Sequence, residues 1–508
     1  MTAGPRGDAA GAVAGSAFIT SIAVAVAMLA GGVLAVLVAI VIGNDARTDG
    51  FFAAYAVYSI ALLFAQNART TVVARLLEGD DPYANLNRYL GAALVLFAVA
   101  GVLLVGLGGV VADLLTGDLP PVAASTARTA LAILWPAIAA QLFAGLGAAM
   151  LGAHGNFSVP AFAFGGGGVA SIGAFLALEP ALGIDAVSVA ILLGSLISFA
   201  LVAAALVRAG WRPSSEIVAR PRHNARAAGV LVIATLASLI FQVGYVITIA
   251  IGGRLGEGVI TVFSYSYAGT SLVAALLASS VSIVLAAPIA QTWDRRPRSL
   301  WPHHESVALT GLLLLAPLVA VAWLVGDDVS RAVLRGFTTG EAELAVDLFL
   351  LLTPVVVGSM LGGTIPLPAL YALGRYRAVA VATIANVVVQ AGLSLVAALF
   401  DDVRLLAIAV SAGSAVSVPL LIGLLSTDYL RFALPRLLLD TLRIAAVAAV
   451  AYGSLALALE ALDVAGARFV AAAGGTVLFA AAVARFLPAE RDLGRRLLAA
   501  AGVRSAAA

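Results

Sequence analysis

Uncharged, mostly apolar stretches recur along the chain at 9–44, 50–68, 89–112, 129–178, 186–207, 227–253, 258–293, 306–326, 348–374, 378–400 and 405–427. Two shorter ones follow at 444–459 and 469–484. A helix of about 20 apolar residues crosses a bilayer core of roughly 30 Å, so each stretch predicts one crossing. The 129–178 run is far too long for a single crossing at about 1.5 Å per residue. It must fold back, and His154-Gly155-Asn156-Phe157-Ser158-Val159-Pro160 is its only plausible break. The pattern predicts an all-α integral membrane protein with about fourteen transmembrane helices.

An even number of crossings puts both termini on one side, and the cations choose which. All 29 Lys+Arg residues are arginines. The termini and the loops after even-numbered helices hold 22 of them, in groups such as Arg208, Arg212, Arg220, Arg222 and Arg226. The opposite loops hold seven: Arg47, Arg128, Arg254, Arg331, Arg335, Arg404 and Arg468. Short basic loops resist translocation, so this split predicts cytoplasmic termini. The sequence pI near 9.0 then reflects loops facing an anionic leaflet rather than nucleic-acid binding. The lysine-free, Ala-, Val- and Gly-rich composition suggests a GC-rich genome such as an actinobacterium's.

Several chemistries fall away. The first apolar run is too long for a signal-peptide core, so no cleaved leader is expected. With no cysteine there is no thiolate nucleophile, thiolate metal site or disulfide. No Walker motif occurs, the loops are too short to fold as separate domains, and neither enzymatic activity nor a cofactor is expected. Gly165-Gly166-Gly167-Gly168 lacks the following Lys-Ser/Thr of a phosphate loop and is expected to let helices approach closely. Asp327-Asp328 and Asp401-Asp402 read as solvated helix-end acids in outward loops. His223 and His303-His304 sit in basic loops without nearby carboxylates, so no metal site is expected.

A short repeat sets the expected domain organisation. The turn after helix 4, Gly152 to Ala161, and the turn after helix 10, Tyr371 to Ala380, each combine a glycine, a polar residue and an aromatic. A six-helix period keeps both copies in one orientation. It predicts an N-lobe of six helices at 1–215, a C-lobe of six at 216–430, and helices 13 and 14 with a cytoplasmic tail at 431–508.

Gly43-Asn44-Asp45-Ala46-Arg47-Thr48-Asp49-Gly50-Phe51-Phe52-Ala53-Ala54-Tyr55 resembles the signature that joins helices 1 and 2 in the MurJ/MviN-type lipid II flippases. Asn156-Phe157-Ser158-Val159-Pro160-Ala161-Phe162-Ala163 is similar to that family's turn between helices 4 and 5, and Gln242 to Tyr265 and Pro368 to Ala372 follow its pattern. The resemblance runs over nearly the whole chain. It implies the multidrug/oligosaccharidyl-lipid/polysaccharide exporter (MOP) superfamily and transport of an undecaprenyl-linked sugar. The family's cavity charges fall here on Leu34 and Ala35 in helix 1, Leu62 and Leu63 in helix 2 and Ala268 in helix 8, while its acidic position late in helix 2 is Asn67. A buried diphosphate needs guanidinium donors, which these residues do not supply.

The polar groups that remain on the expected cavity helices are neutral. Helix 2 offers Tyr55, Ser59 and Gln66 on one face, with Asn67 adjacent. Helix 7 offers Gln242 and Tyr245, and helix 8 offers Thr261, Ser264, Tyr265, Tyr267 and Ser271. Amides, hydroxyls and aromatic rings suit sugars, although the same groups also bond helices together or belong to an interfacial belt. Arg69 is the one cation near the inner end of a cavity helix, as a phosphate ligand or a positive-inside anchor. Asp49, at the outer end of helix 1, is a candidate for gating or capping. The expected function is a flippase for a lipid-linked cell-envelope glycan, lipid II or a related saccharide, working beside cell-envelope biosynthesis proteins. The alternatives are a polysaccharide-repeat or drug exporter of the same superfamily, and a transport-inactive cell-envelope scaffold. A drug antiporter would want buried carboxylates for coupling, and the spans hold essentially none.

Overall fold

The computed structural model of the chain describes residues 30–76, 81–154, 156, 158–214, 221–292, 300–461 and 466–486, and of 61, 63–75, 82, 105, 221–226, 230, 233–239, 241, 275–276, 278–292, 371–372 and 486 only the backbone. These residues form thirteen long helices, preceded by a shorter one. They are α1 (Ala30–Val41), α2 (Ala46–Leu76), α3 (Pro82–Thr116), α4 (Pro121–Ala153), α5 (Ser158–Leu182), α6 (Asp185–Arg208) and α7 (Pro221–Gly252). Then come α8 (Val259–Thr292), α9 (Trp301–Val333), α10 (Thr339–Gly358), α11 (Tyr376–Phe400), α12 (Arg404–Leu425), α13 (Thr427–Ala461) and α14 (Ala467–Phe486). Ten of them are long and apolar enough to cross a membrane. The protein is an all-α membrane protein.

Local chemistry sets the breaks. Asp45 caps α2 by accepting from the backbone N–H of Arg47 (3.0 Å) and Thr48 (2.9 Å), while the Thr48 hydroxyl oxygen accepts from the Asp45 N–H (2.8 Å). This is the reciprocal logic of a capping box. The long apolar run divides where its composition predicts, between Ala153 and Ser158. The turns after α4 and before α11 close alike. Asn156 N–H reaches the Leu151 carbonyl at 2.9 Å, and Arg375 N–H reaches the Leu370 carbonyl at 2.9 Å. Both are the long-range bond of a Schellman-type helix end, and Gly374 takes the positive φ (66°) that such an end requires. A π-turn, Ser359–Gly363, and a short helix, Pro366–Ala372, continue α10.

The chain forms two compact units: residues 1–264 with 394–403, and 265–393 with 404–508. In the first, α5 and α6 approach through glycines. An ideal Cβ on Gly167 would lie 2.5 Å from the Gly194 carbonyl oxygen, and one on Gly194 would lie 2.4 Å from that of Gly167. The four-glycine run therefore serves helix packing. Gly50 likewise brings the start of α2 onto α4, 2.1 Å from the Ala123 carbonyl oxygen by the same measure. In the second unit, Ile444, Ala448 and Tyr452 of α13 and Ala471 and Phe479 of α14 form a core with Leu309, Leu312 and Leu324 of α9.

Three expectations are corrected here. Asp49 lies in the first turn of α2, because the Asp45 cap starts that helix before the charge-free run begins. His304 lies inside α9, fully buried, rather than in a basic loop. Its Nε2 donates to the Leu361 carbonyl (2.7 Å) and its Nδ1 meets the Tyr429 hydroxyl (2.8 Å). Arg431, Arg436 and Arg443 belong to the helix α13 rather than to a loop; the Arg436 guanidinium packs over the Phe432 ring, 3.8 Å from its centroid.

Candidate functional site

Several of the residues singled out on helices 2, 7 and 8 draw together in the first unit. Asp49 is fully buried, and its carboxylate accepts three hydrogen bonds from the beginning of α8. They come from Gly258 N–H (2.6 Å), Thr261 N–H (2.8 Å) and the Thr261 hydroxyl (2.6 Å). Glu257 returns the favour, its Oε1 accepting from Ala46 N–H at 3.0 Å. Each helix thus supplies the carboxylate that satisfies orphan donors at the other's N-terminus, where negative charge is favoured. Charge-assisted bonds of this kind are the strong ones. The result is a clasp between the first turns of α2 and α8.

Further along α2 the contacts are neutral. The Gln242 carboxamide of α7 donates to the Ser59 hydroxyl, which itself donates to the Ala56 carbonyl at 2.7 Å. Tyr245 donates through its hydroxyl to Ser264 of α8 at 3.4 Å. Tyr55 is half-buried, its ring 5.9 Å from Phe51 and 5.5 Å from Tyr58 between centroids. Asp49, Ser59, Gln242, Tyr245, Thr261 and Ser264 therefore lie along one seam of α2, α7 and α8, and Tyr55 sits one turn before Ser59 on α2. Tyr265 and Tyr267 belong to the second unit, where the Tyr265 ring meets Phe337 edge-on at 5.5 Å and Tyr267 bonds Ser271. The side chains of Gln66, Asn67 and Arg69 lie outside the described residues.

Sequence reasoning missed several partners of this seam. Tyr58 bonds Ser195 of α6, which also accepts from Gln141 of α4 at 3.1 Å. Thr248 meets Ser394 at 3.2 Å, tying the end of α11 to α7. Tyr58 follows Tyr55 by one turn and was legible from spacing. Ser195 and Gln141 were not, since a lone hydroxyl or amide in an apolar helix carries no address. Glu257 could have been found as an acid just ahead of a helix start.

Aliphatic side chains occupy the positions where the resemblance implies charge. Leu34 is buried, and Ala35, Leu62 and Ala268 are half-buried. The side chain of Leu63 lies outside the described residues. Among the described residues no cluster of three His, Asp or Glu side chains could hold a metal ion. The seam can donate and accept hydrogen bonds and stack rings.

The chain thus presents long apolar helices and, in its first unit, a hydrogen-bonded polar seam of α2, α7 and α8. The structure resembles the lipid II flippase MurJ in its inward closed conformation, with a TM-score of 0.76 at 16% identity, over 92% of this chain and 99% of that one. It also resembles an inward-facing multidrug resistance MATE family transporter of the MOP superfamily (0.56, 16%, 83% and 94%). A third match is a MOP superfamily transporter from Pyrococcus furiosus (0.55, 16%, 84% and 96%). At such identities the likeness concerns fold alone. No individual curated protein matches the sequence. Residues 38–469 match the family described as the lipid II flippase MurJ, and the chain belongs to that family.

Proposed function

We propose that the protein carries an undecaprenyl-linked glycan precursor other than lipid II across the bacterial cytoplasmic membrane by alternating access. Both termini face the cytoplasm, the halves 1–215 and 216–430 are the transporting repeat, and 431–508 is appended to it. Tyr55, Ser59, Gln242, Tyr245 and Ser264 bind the saccharide. Gln66, Asn67, Arg69, Tyr265 and Tyr267 are further candidates for saccharide contact by residue type. Asp49 closes the outer end through its clasp on α8. One observation carries the substrate reading: in a member of the MurJ family, the described seam residues of α2, α7 and α8 include no cation, their one charged group, the Asp49 carboxylate, is engaged by three donors, and aliphatic residues stand where the family's cavity charges fall. A diphosphate held at membrane depth without donors would be prohibitively costly, since even a neutral polar group left unpaired there costs about 2–7 kcal/mol and a charged one far more. A clasp that opens and closes gives the path its outer gate.

Depletion of the protein, followed by mass spectrometry of undecaprenyl-linked species on the inner leaflet, tests this reading. A lipid-linked saccharide distinct from lipid II should accumulate. Accumulation of lipid II would return it as the substrate, and accumulation of no lipid-linked species would favour a transport-inactive scaffold.

A further inference from the structure

A second group of polar side chains lies in the first unit beside the Asp49 end of the seam. An open cavity of about 240 Å³ has Arg47, Asp185, Ser125, Thr126 and Thr129 among its lining residues. The three hydroxyls spend their protons on their own helix. Ser125 and Thr126 donate to the Val122 carbonyl, each at 2.9 Å, and Thr129 donates to that of Ser125 at 3.1 Å. Each therefore offers only lone pairs to a ligand. Asp185 adds a carboxylate acceptor, and Arg47 adds guanidinium donors. Arg47 and Asp185 feel each other electrostatically, yet they do not close into an ion pair. Val122 and Leu182, both partly exposed, give the cavity an apolar patch.

These features select a ligand class. An acceptor-rich wall requires a ligand with several O–H donors, and a guanidinium requires that the ligand also accept. The single cation and single anion balance, so a ligand carrying net charge of either sign would oppose one of them. The apolar patch suits the C–H face of a ring. We propose that this cavity is a subsite for a neutral saccharide, held by Arg47, Asp185 and the hydroxyl row of α4. The site touches the clasp, because Arg47 lies on the same turn of α2 as Asp49, and Gly50 seats that turn on α4 at Ala123. The proposal does not depend on which lipid-linked species is transported.

The test uses the full chain in detergent with a single cysteine, the native sequence having none. Leu182→Cys places a thiol on the apolar patch without removing a polar group, and Gly340→Cys, exposed in the second unit, is the control. Maleimide labelling is timed with N-acetylglucosamine, with inorganic phosphate, and with neither. The sugar should slow labelling at 182 about threefold when present at twice its dissociation constant, and should leave 340 unchanged. Arg47→Gln, Asp185→Asn and the cavity-filling Val122→Trp should each abolish the protection. Should one variant lose its monodisperse elution, the other two decide. Protection by phosphate but not by sugar, protection by neither, retention of protection in the folded variants, or a thiol at 182 that never reacts would each overturn the proposal.

Discussion

Replacing Asp49 by asparagine perturbs the clasp with almost no change of shape. The carboxylate accepts from two backbone N–H groups and one hydroxyl, all within 2.8 Å, and is fully buried. An asparagine Oδ1 can keep the Thr261 bonds, but its amide then faces the Gly258 N–H, donor against donor. Losing one hydrogen bond to a charged group costs about 1.5–3 kcal/mol. At 1.4 kcal/mol per factor of ten, the closed arrangement of α2 on α8 should weaken on the order of ten- to a hundredfold. Alanine leaves at least two donors unmatched and should be worse. Paired cysteines at Ala46 and Glu257, positions joined in the native clasp at 3.0 Å, remove the Glu257 bond, so the yield of a short bifunctional thiol cross-link between them reads the Asp49 half of the clasp alone. The yield should be high with Asp49 present, should fall with Asp49→Asn, and should fall further with Asp49→Ala. Unchanged cross-linking and unchanged transport in Asp49→Ala would refute the reasoning, since the three bonds would then hold nothing in place.

Gly167→Ala should lower thermal stability, by about 1–3 kcal/mol for overpacking, because its Cβ would lie 2.5 Å from a backbone oxygen of α6. Gly166→Ala, whose nearest neighbour is Leu201 at 3.9 Å, should be nearly silent in the same melting assay. Tyr429→Phe should destabilise the second unit by about 1–3 kcal/mol, the cost of leaving a buried polar partner unmatched, because the His304 Nδ1 loses the hydroxyl it meets at 2.8 Å. His304→Ala should melt at a still lower temperature. Expressed in place of an essential lipid II flippase, the unmodified chain should fail to support growth. Arginine at Leu34, Leu62 and Ala268 together should restore measurable activity, whereas no single one should. Robust growth with the unmodified chain would make those charges dispensable.

The all-α membrane character of the chain and the break in its longest apolar run were legible in the sequence because a bilayer leaves a segment few options. Backbone groups must be satisfied within the segment, so apolar length alone declares a helix. That is why the 129–178 run could be cut correctly from composition and a short polar turn. The family could be read from Thr48-Asp49-Gly50-Phe51-Phe52, whose residue types serve local needs: a reciprocal cap, a buried carboxylate and a glycine for close approach. Helix extents were less legible. Arg431, Arg436 and Arg443 look like a loop in one dimension, whereas α13 carries them on a continuous helix. Partners were not legible at all. That Asp49 is held by the start of α8, that Ser59 meets Gln242, and that His304 is locked between Leu361 and Tyr429 depend on pairs separated by 57 to 212 residues. Hydropathy says that a segment must be buried but is silent on which neighbour buries it, and only the tertiary packing of the helices decides that.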